Sequence, residues 1–274
     1  MDFRTVVDVQ SPDFRIGPCE SLLFVGSCFA DAIGQRFLEE KFKAIVNPYG
    51  VMYNPASILH TVQRLVAESA DLKSVKTTFL TLGTNHVYRL KETGEIVDNC
   101  QKRPQTLFQE EELSVDECAD YLQQTVDLLH TQNPEMHIVL TVSPIRYRKY
   151  GYHGSQLSKA TLLLAVEKLL TSHFSLFTSY FPAYEIVNDE LRDYRFYQAD
   201  MLHPSDQAVT YIWERLTDIY LSDEAKQFLK EWAPLKAVLN HKPFNPESEE
   251  YQALIDKTML KVSELQKKYP NFAV

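Results

Sequence analysis

An apolar segment followed by an amphipathic one constrains the fold of this chain more than any other sequence feature. Residues 21–25 form a mostly apolar run that ends at Gly26, as expected for a strand buried on both faces. Apolar residues then recur at four-residue spacing at Phe29, Ile33 and Phe37, which predicts a helix. Strand, tight turn and helix in this order are the unit of a parallel sheet.

The same alternation continues along the chain and predicts an α/β fold. Apolar runs predict further strands at 44–46, 78–82, 137–142 and 184–187. Helical spacing predicts helices through 58–66, 115–129, 158–170 and 209–219. Residues 87–90 and 95–97 predict a hairpin in which Gly94 has a positive φ. A parallel sheet with helices on both faces follows from this order.

Beyond residue 221 the apolar spacing is purely helical. Two helical stripes, around 225–232 and 251–265, are separated by Pro234, Pro243 and Pro246, which we expect to break the chain. We therefore predict a main domain at 1–222 and a helical extension at 223–274 that packs on it. The extension is a candidate lid or homodimer contact.

Charge and composition exclude several classes of protein. The net charge is −9 with a pI near 5.4, and basic residues form no cluster suited to nucleic acid or to an anionic membrane. No run of about 18 apolar residues occurs, so we expect a cytoplasmic location. The four cysteines form no C-x-x-C pair, which predicts neither a disulfide framework nor a metal site. Nothing in the sequence calls for a cofactor.

Residues that follow the predicted strands are the candidates for catalysis, because ligands bind beyond the carboxyl ends of parallel strands. Ser27 lies between strand and helix, which suits an acyl-transfer nucleophile. Asp200 and His203 share one loop, so the carboxylate can bind the imidazole while the other ring nitrogen faces a hydroxyl. Taken alone, Ser27 is more often a helix N-cap, and an Asp-x-x-His pair is more often a loop hydrogen bond.

Two further strand-end residues could stabilise an oxyanion. Gly50 can bring a backbone N–H close to a substrate, and Asn85 can donate from its side-chain amide. Together with the Ser27 N–H they would supply three donors. Singly, Gly50 and Asn85 are typical turn residues.

Four residues are candidates for substrate contact. Arg146 and Arg148 follow a strand end and could bind an anionic substrate group, although a solvated basic loop is the more ordinary interpretation. Gly83 and His86 flank Asn85 and could line the site. A histidine in a hairpin, however, needs no function.

These motifs resemble a known family. The run Gly26-Ser27-Cys28-Phe29-Ala30 is similar to the signature of the GSCFA domain family, within the SGNH (GDSL-like) hydrolase superfamily of flavodoxin-like esterases and lipases. Gly26-Ser27 resembles that superfamily's nucleophile block. The superfamily's other three blocks have counterparts in the same order, at Gly50, at Gly83-Thr84-Asn85 and at Asp200-Met201-Leu202-His203. His86 stands where the third block ends in Asp.

The resemblance covers residues 1–222 and implies a three-layer α/β/α sandwich and an acyl-enzyme mechanism. In that mechanism Ser27 attacks the ester, His203 takes and returns the proton, and Asp200 orients the His203 imidazole. Ser27, Gly50 and Asn85 supply the oxyanion donors. The substrate would be a small or carbohydrate-like ester. Three alternatives stay open: an acyltransferase with the same residues, a non-catalytic binding module, and Cys28 as nucleophile, although Cys28 is expected to point into the domain.

Overall fold

The computed structural model describes residues 4–172 and 177–272 and contains one five-stranded parallel sheet. Its strands are β1 (Ser21–Gly26), β2 (Lys43–Val46), β3 (Thr77–Leu82), β7 (His137–Val142) and β8 (Thr178–Tyr180). Their order across the sheet is β2-β1-β3-β7-β8. Every neighbouring pair is parallel. The predicted α/β/α sandwich with a parallel sheet is confirmed.

Two layers of helices cover the sheet. The helices are α1 (Cys28–Glu39), α2 (Pro55–Ala67), α3 (Val115–Gln132), α4 (Gly151–Ser172), α5 (Ala183–Glu185), α6 (Asp206–Tyr220), α7 (Asp223–Asn240) and α8 (Glu249–Lys268). Alternate residues of β1 enter different cores: Leu22 and Phe24 pack with α1 and α6, whereas Leu23 and Val25 pack with α2, α3 and α4. This alternation explains why β1 is apolar throughout.

The predicted hairpin is part of a second, three-stranded sheet. Strands β4 (His86–Leu90) and β5 (Ile96–Val97) are antiparallel, and Gly94 has φ +74, as expected. A third strand, β6 (Phe108–Glu112), pairs with the other side of β4. Sequence patterns missed it because Phe-Gln-Glu-Glu-Glu has no apolar alternation and glutamate is uncommon in strands.

The prediction of a final strand at 184–187 is wrong. These residues belong to α5 and to the π-helical segment Ile186–Leu191 that continues it, and the edge strand β8 lies just before them. A short apolar run suits a buried strand and a buried helical turn equally well. Here it packs as a helix, with Ala183, Ile186 and Val187 in the core.

The C-terminal helices share a core with the sheet. Phe228 and Trp232 of α7 pack in the same cluster as α1, and the Trp232 Nε1–H donates to the Glu39 carbonyl oxygen at 3.2 Å. Pro234, expected to break the chain, lies inside α7, so that expectation is wrong. Pro243 and Pro246 do lie between α7 and α8. The domain boundary near residue 222 stays a prediction.

Candidate active site

The turn between β1 and α1 places Ser27 at the carboxyl edge of the sheet. A Cβ on Gly26 would lie 2.1 Å from the Thr81 carbonyl oxygen, and Gly26 has φ +148, so only glycine fits this turn. Ser27 is the N-cap of α1, and its Oγ accepts a hydrogen bond from the Phe29 N–H at 3.3 Å. The residue is 1% exposed. Because Ser27 only accepts in this bond, its hydroxyl proton stays available for a base.

Asp200 and His203 form a hydrogen-bonded pair on the loop before α6. The Asp200 Oδ2 lies 2.6 Å from the His203 Nδ1, while Oδ1 accepts the N–H groups of Leu202 and His203. The bond to the imidazole is the main cause that lowers the pKa of Asp200 to about 2, and the two backbone N–H groups add to it. Asp200 is thus a carboxylate at any physiological pH, and it orients the imidazole.

A cavity of about 480 Å³ joins this loop to the first turn of α1. Among the residues that line it are Cys28, Phe29 and His203. Ser27, which precedes Cys28, does not line it, and no hydrogen bond joins Ser27 to His203 among the residues that the structure describes. The loop is therefore brought to the helix start, while proton transfer between Ser27 and His203 stays a prediction.

The three predicted oxyanion donors are each engaged elsewhere in this conformation. The Ser27 N–H donates to the Thr81 carbonyl oxygen at 3.1 Å, and the Gly50 N–H donates to Asn47 at 2.8 Å within its turn. The Asn85 amide donates to the Leu113 carbonyl oxygen at 2.7 Å, and Asn85 is 3% exposed. The predicted role of the Ser27 and Gly50 N–H groups would need these bonds to open, whereas the Asn85 amide carries a second N–H besides the one bound to Leu113.

Cys28 differs from its expected position. It packs partly against the core, yet its side chain also lines the cavity, and its Sγ lies 3.7 Å from the Tyr53 hydroxyl. Its backbone N–H is in the first turn of α1, and none of the described residues accepts a hydrogen bond from it. Sequence reasoning overlooked this donor, although free N–H groups are a property of every helix start.

A buried lysine lies beside the Ser27 turn and was also overlooked. Lys159 of α4 is 1% exposed, and its Nζ donates to the Gly83 carbonyl oxygen at 2.6 Å. Gly83 adjoins the site, since a Cβ on it would lie 3.4 Å from the Ser27 Cβ and 3.0 Å from the Tyr147 hydroxyl. Burial lowers the pKa of Lys159 to about 7. In the sequence, one lysine on a helix gives no sign of this.

The other predicted contact residues lie apart from the cavity. His86 stacks on Tyr150 with ring centroids 3.5 Å apart, and burial is the main cause that lowers its pKa, against the opposing effects of Glu112 and Glu110. Arg148 is exposed at the start of a short 3-10 turn. Arg146 turns towards the loop that carries His203, where its guanidinium donates to the Met201 carbonyl oxygen.

Within residues 4–172 and 177–272, no three His, Cys, Asp or Glu side chains are grouped to hold a metal ion. Over the same residues, no helix combines the length and the apolar character needed to cross a bilayer.

Comparisons with solved structures return proteins of similar topology at low sequence identity. A member of the lipolytic G-D-S-L family from Veillonella parvula is 10% identical, with a TM-score of 0.48 over 73% of this chain and 98% of that one. A family 3 carbohydrate esterase from Clostridium thermocellum is 12% identical, with a TM-score of 0.42 over 78% and 98% of the two chains. A family 3 carbohydrate esterase from Talaromyces cellulolyticus is 9% identical, with a TM-score of 0.43 over 77% and 99%. The curated proteins give no significant match.

Family profiles match most of the chain. The profile of the GSCFA family matches residues 21–77 and 67–216, which include the Ser27 turn and the Asp200–His203 loop. A second profile, that of the C-terminal domain of GSCFA domain proteins, matches residues 232–274. The chain therefore belongs to the GSCFA family.

Proposed function

We propose that this protein is a serine-dependent acyl-ester hydrolase that works through an acyl-enzyme on Ser27. The observation that carries the proposal is the 2.6 Å bond between Asp200 and His203, on a loop that shares a cavity with the helix start next to Ser27. An ionised carboxylate on one imidazole nitrogen prepares the other nitrogen to accept a proton. The His203 ring keeps 39% of its side-chain surface exposed, so it is accessible to a substrate.

The first chemical step needs the Ser27 hydroxyl to reach the His203 Nε2. The hydroxyl donates a hydrogen bond to Nε2 and then attacks the ester carbonyl carbon. The hydroxyl proton passes to Nε2 and the carbonyl electron pair moves to oxygen. Collapse of this intermediate returns the proton to the leaving alcohol, and water repeats both steps on the acyl-enzyme.

The Cys28 N–H is the donor best placed for the oxyanion. It lies at the N-terminus of α1, where the helix dipole favours negative charge, and no described residue occupies it. The Ser27 and Gly50 N–H groups would join it if a bound substrate displaced their present acceptors, and the Asn85 amide would join it through its second N–H. Because the Cys28 donor belongs to the backbone, its replacement by another side chain should preserve it.

The cavity is compatible with a small or carbohydrate-like ester. Its volume of about 480 Å³ lies within the range of small-molecule sites. Its walls combine apolar Phe29, Ile145 and Val209 with polar Gln198 and Arg36. An acyl group could pack on the apolar side while the polar side binds hydroxyl groups.

The test is ester hydrolysis by the parent protein and by Ser27→Ala. We expect turnover of short p-nitrophenyl esters and acetylated sugars by the parent, and a loss of about 10⁴-fold or more in kcat for the variant. Ser263→Ala, which changes an exposed serine of α8, should keep the parent rate. Equal rates for Ser27→Ala and the parent would overturn the proposal. Transfer to an added sugar that exceeds hydrolysis would assign an acyltransferase, and a parent inactive on all esters would favour a binding module.

Cys28 as nucleophile is the second candidate, because its side chain lines the cavity with His203 whereas Ser27 does not. In that case the acyl group would form a thioester, and iodoacetamide would inactivate the parent. Cys28→Ala separates the two candidates. It keeps its activity if Ser27 is the nucleophile, and loses it if Cys28 is.

A further inference from the structure

Arg146 makes two hydrogen bonds to the loop that carries the predicted base. Its guanidinium Nη2 donates to the Met201 carbonyl oxygen, and its backbone N–H donates to the Leu202 carbonyl oxygen at 3.2 Å. These carbonyls are consecutive and lie between Asp200 and His203. Arg146 itself follows the carboxyl end of β7, so it ties the loop to a strand of the central sheet.

Three tyrosines hold the guanidinium in place. It lies 4.1 Å from the ring centroid of Tyr197, 5.2 Å from that of Tyr152 and 5.9 Å from that of Tyr194. Stacking of this kind restricts the rotamers of an arginine and lowers the entropy cost of each hydrogen bond that it forms. The contacts commit Arg146 to the protein itself, in contrast to the predicted contact with an anionic substrate group.

The loop needs such support at Met201. This residue has φ +59, a left-handed conformation that a side chain with a Cβ disfavours. It lies inside the turn that the Asp200 carboxylate closes by accepting the Leu202 and His203 N–H groups. The carbonyl that Arg146 binds is therefore that of the strained residue.

We propose that Arg146 is a positioning residue that keeps Met201 left-handed and thereby holds the Asp200–His203 pair at the cavity. The effect on catalysis rests on the proposed hydrolase function. The effect on loop order does not, because it concerns contacts within the chain. Loss of Arg146 should lower kcat and leave KM unchanged, since no substrate contact is removed.

The kinetic test uses Arg146→Met, Met201→Gly and the double variant on a neutral ester. Arg146→Met should lower kcat by about 10–100-fold, the usual effect of misplacing a catalytic group by about 1 Å. Met201→Gly in that background should recover most of the loss, because glycine adopts positive φ without strain. Arg195→Met removes an exposed arginine of the neighbouring segment that pairs with Asp193 and should have the parent rate. If Arg146→Met does not fold, Arg146→Lys is the substitute: it keeps the charge but loses the planar guanidinium that stacks on the tyrosines, and it should lower kcat in the same direction.

A role in substrate binding predicts a different pattern. Arg146→Met would then raise KM for anionic esters, spare neutral ones and gain nothing from Met201→Gly. That pattern overturns the proposal, as does an unchanged kcat.

An NMR readout separates this proposal from the proposed function. The His203 Nδ1 proton, shared with Asp200 in the parent, should exchange with water faster in Arg146→Met and regain protection in the double variant. This result would support the positioning role even in a protein that hydrolysed no ester. Equal exchange in the parent and Arg146→Met would overturn it whatever the activity.

Discussion

Replacement of Lys159 by methionine should make the stability of the protein less dependent on pH. Lys159 is buried and has no carboxylate partner within 4 Å among the described residues; its Nζ donates to the Gly83 carbonyl oxygen at 2.6 Å and lies 5.7 Å from the Tyr147 ring centroid. Burial lowers its pKa from the ordinary lysine value of 10.5 to about 7. Between these two values the unfolded chain holds a proton that the folded protein has released, so the stability of the parent rises with pH.

The expected change in the free energy of unfolding follows from the difference between the folded and unfolded pKa of Lys159. One pKa unit corresponds to about 1.4 kcal/mol, so the parent should gain roughly 3 kcal/mol relative to Lys159→Met between about pH 6.5 and pH 9. Below the folded pKa, burial of the charged lysine destabilises the parent most. The stability of Lys159→Met relative to the parent should be highest in that pH range, although the variant leaves the Gly83 carbonyl oxygen without its donor. Effects of other titrating groups are shared by both proteins and cancel in the difference.

The assay is urea unfolding of both proteins at several pH values. Lys168→Met is the matched control, since Lys168 is an exposed lysine of the same helix that pairs with Asp116 at 2.7 Å, and this contact raises its pKa. Its contribution is lost only above its own raised pKa, outside the pH window, so its difference from the parent should stay constant. A constant difference for Lys159→Met as well would refute the buried-cation interpretation.

Three further predictions concern the turn, the dyad and the extension. Gly26→Ala would place a Cβ 2.1 Å from the Thr81 carbonyl oxygen and should destabilise the fold by about 3 kcal/mol or more in urea unfolding; parent-like stability would contradict the close packing. Asp200→Asn should lower kcat by about 10²–10⁴-fold. Because the pKa of Asp200 is about 2, the parent's own pH profile should show no acid limb from this group above about pH 4. Trp232→Ala removes a side chain that is 2% exposed and should cost about 3–5 kcal/mol in a single transition; a separate transition for the C-terminal helices would show that they unfold on their own.

The sheet and its flanking helices could be predicted from the sequence because their patterns are long and periodic. The sequence predicts β1 and α1 together, since a run of apolar residues followed by apolar residues at four-residue spacing indicates a buried strand and then an amphipathic helix. The edge strand β8 could not be predicted, since Thr178–Tyr180 is only three residues long. The effect of Pro234 could not be predicted, because α7 continues through it while burying Trp232 and Leu235 on either side, and this packing is not visible in the sequence.

The candidate site was predictable only in part. Asp200 and His203 are three residues apart, so their contact is local and short-range geometry allows it. The acceptor of the Asn85 amide, the Leu113 carbonyl oxygen, is distant in sequence, and no local pattern indicates that contact. Lys159 and Arg146 act through residues distant in sequence, Gly83 and Met201, and these contacts appear only once the chain has folded.

Covalent trapping tests the central claim most directly. The parent protein would be treated with a fluorophosphonate ester, digested and examined by mass spectrometry for the modified residue. The account predicts a single adduct on Ser27 that is absent in both Ser27→Ala and His203→Ala. An adduct on Cys28, or labelling of Ser27 that is unchanged in His203→Ala, would contradict it.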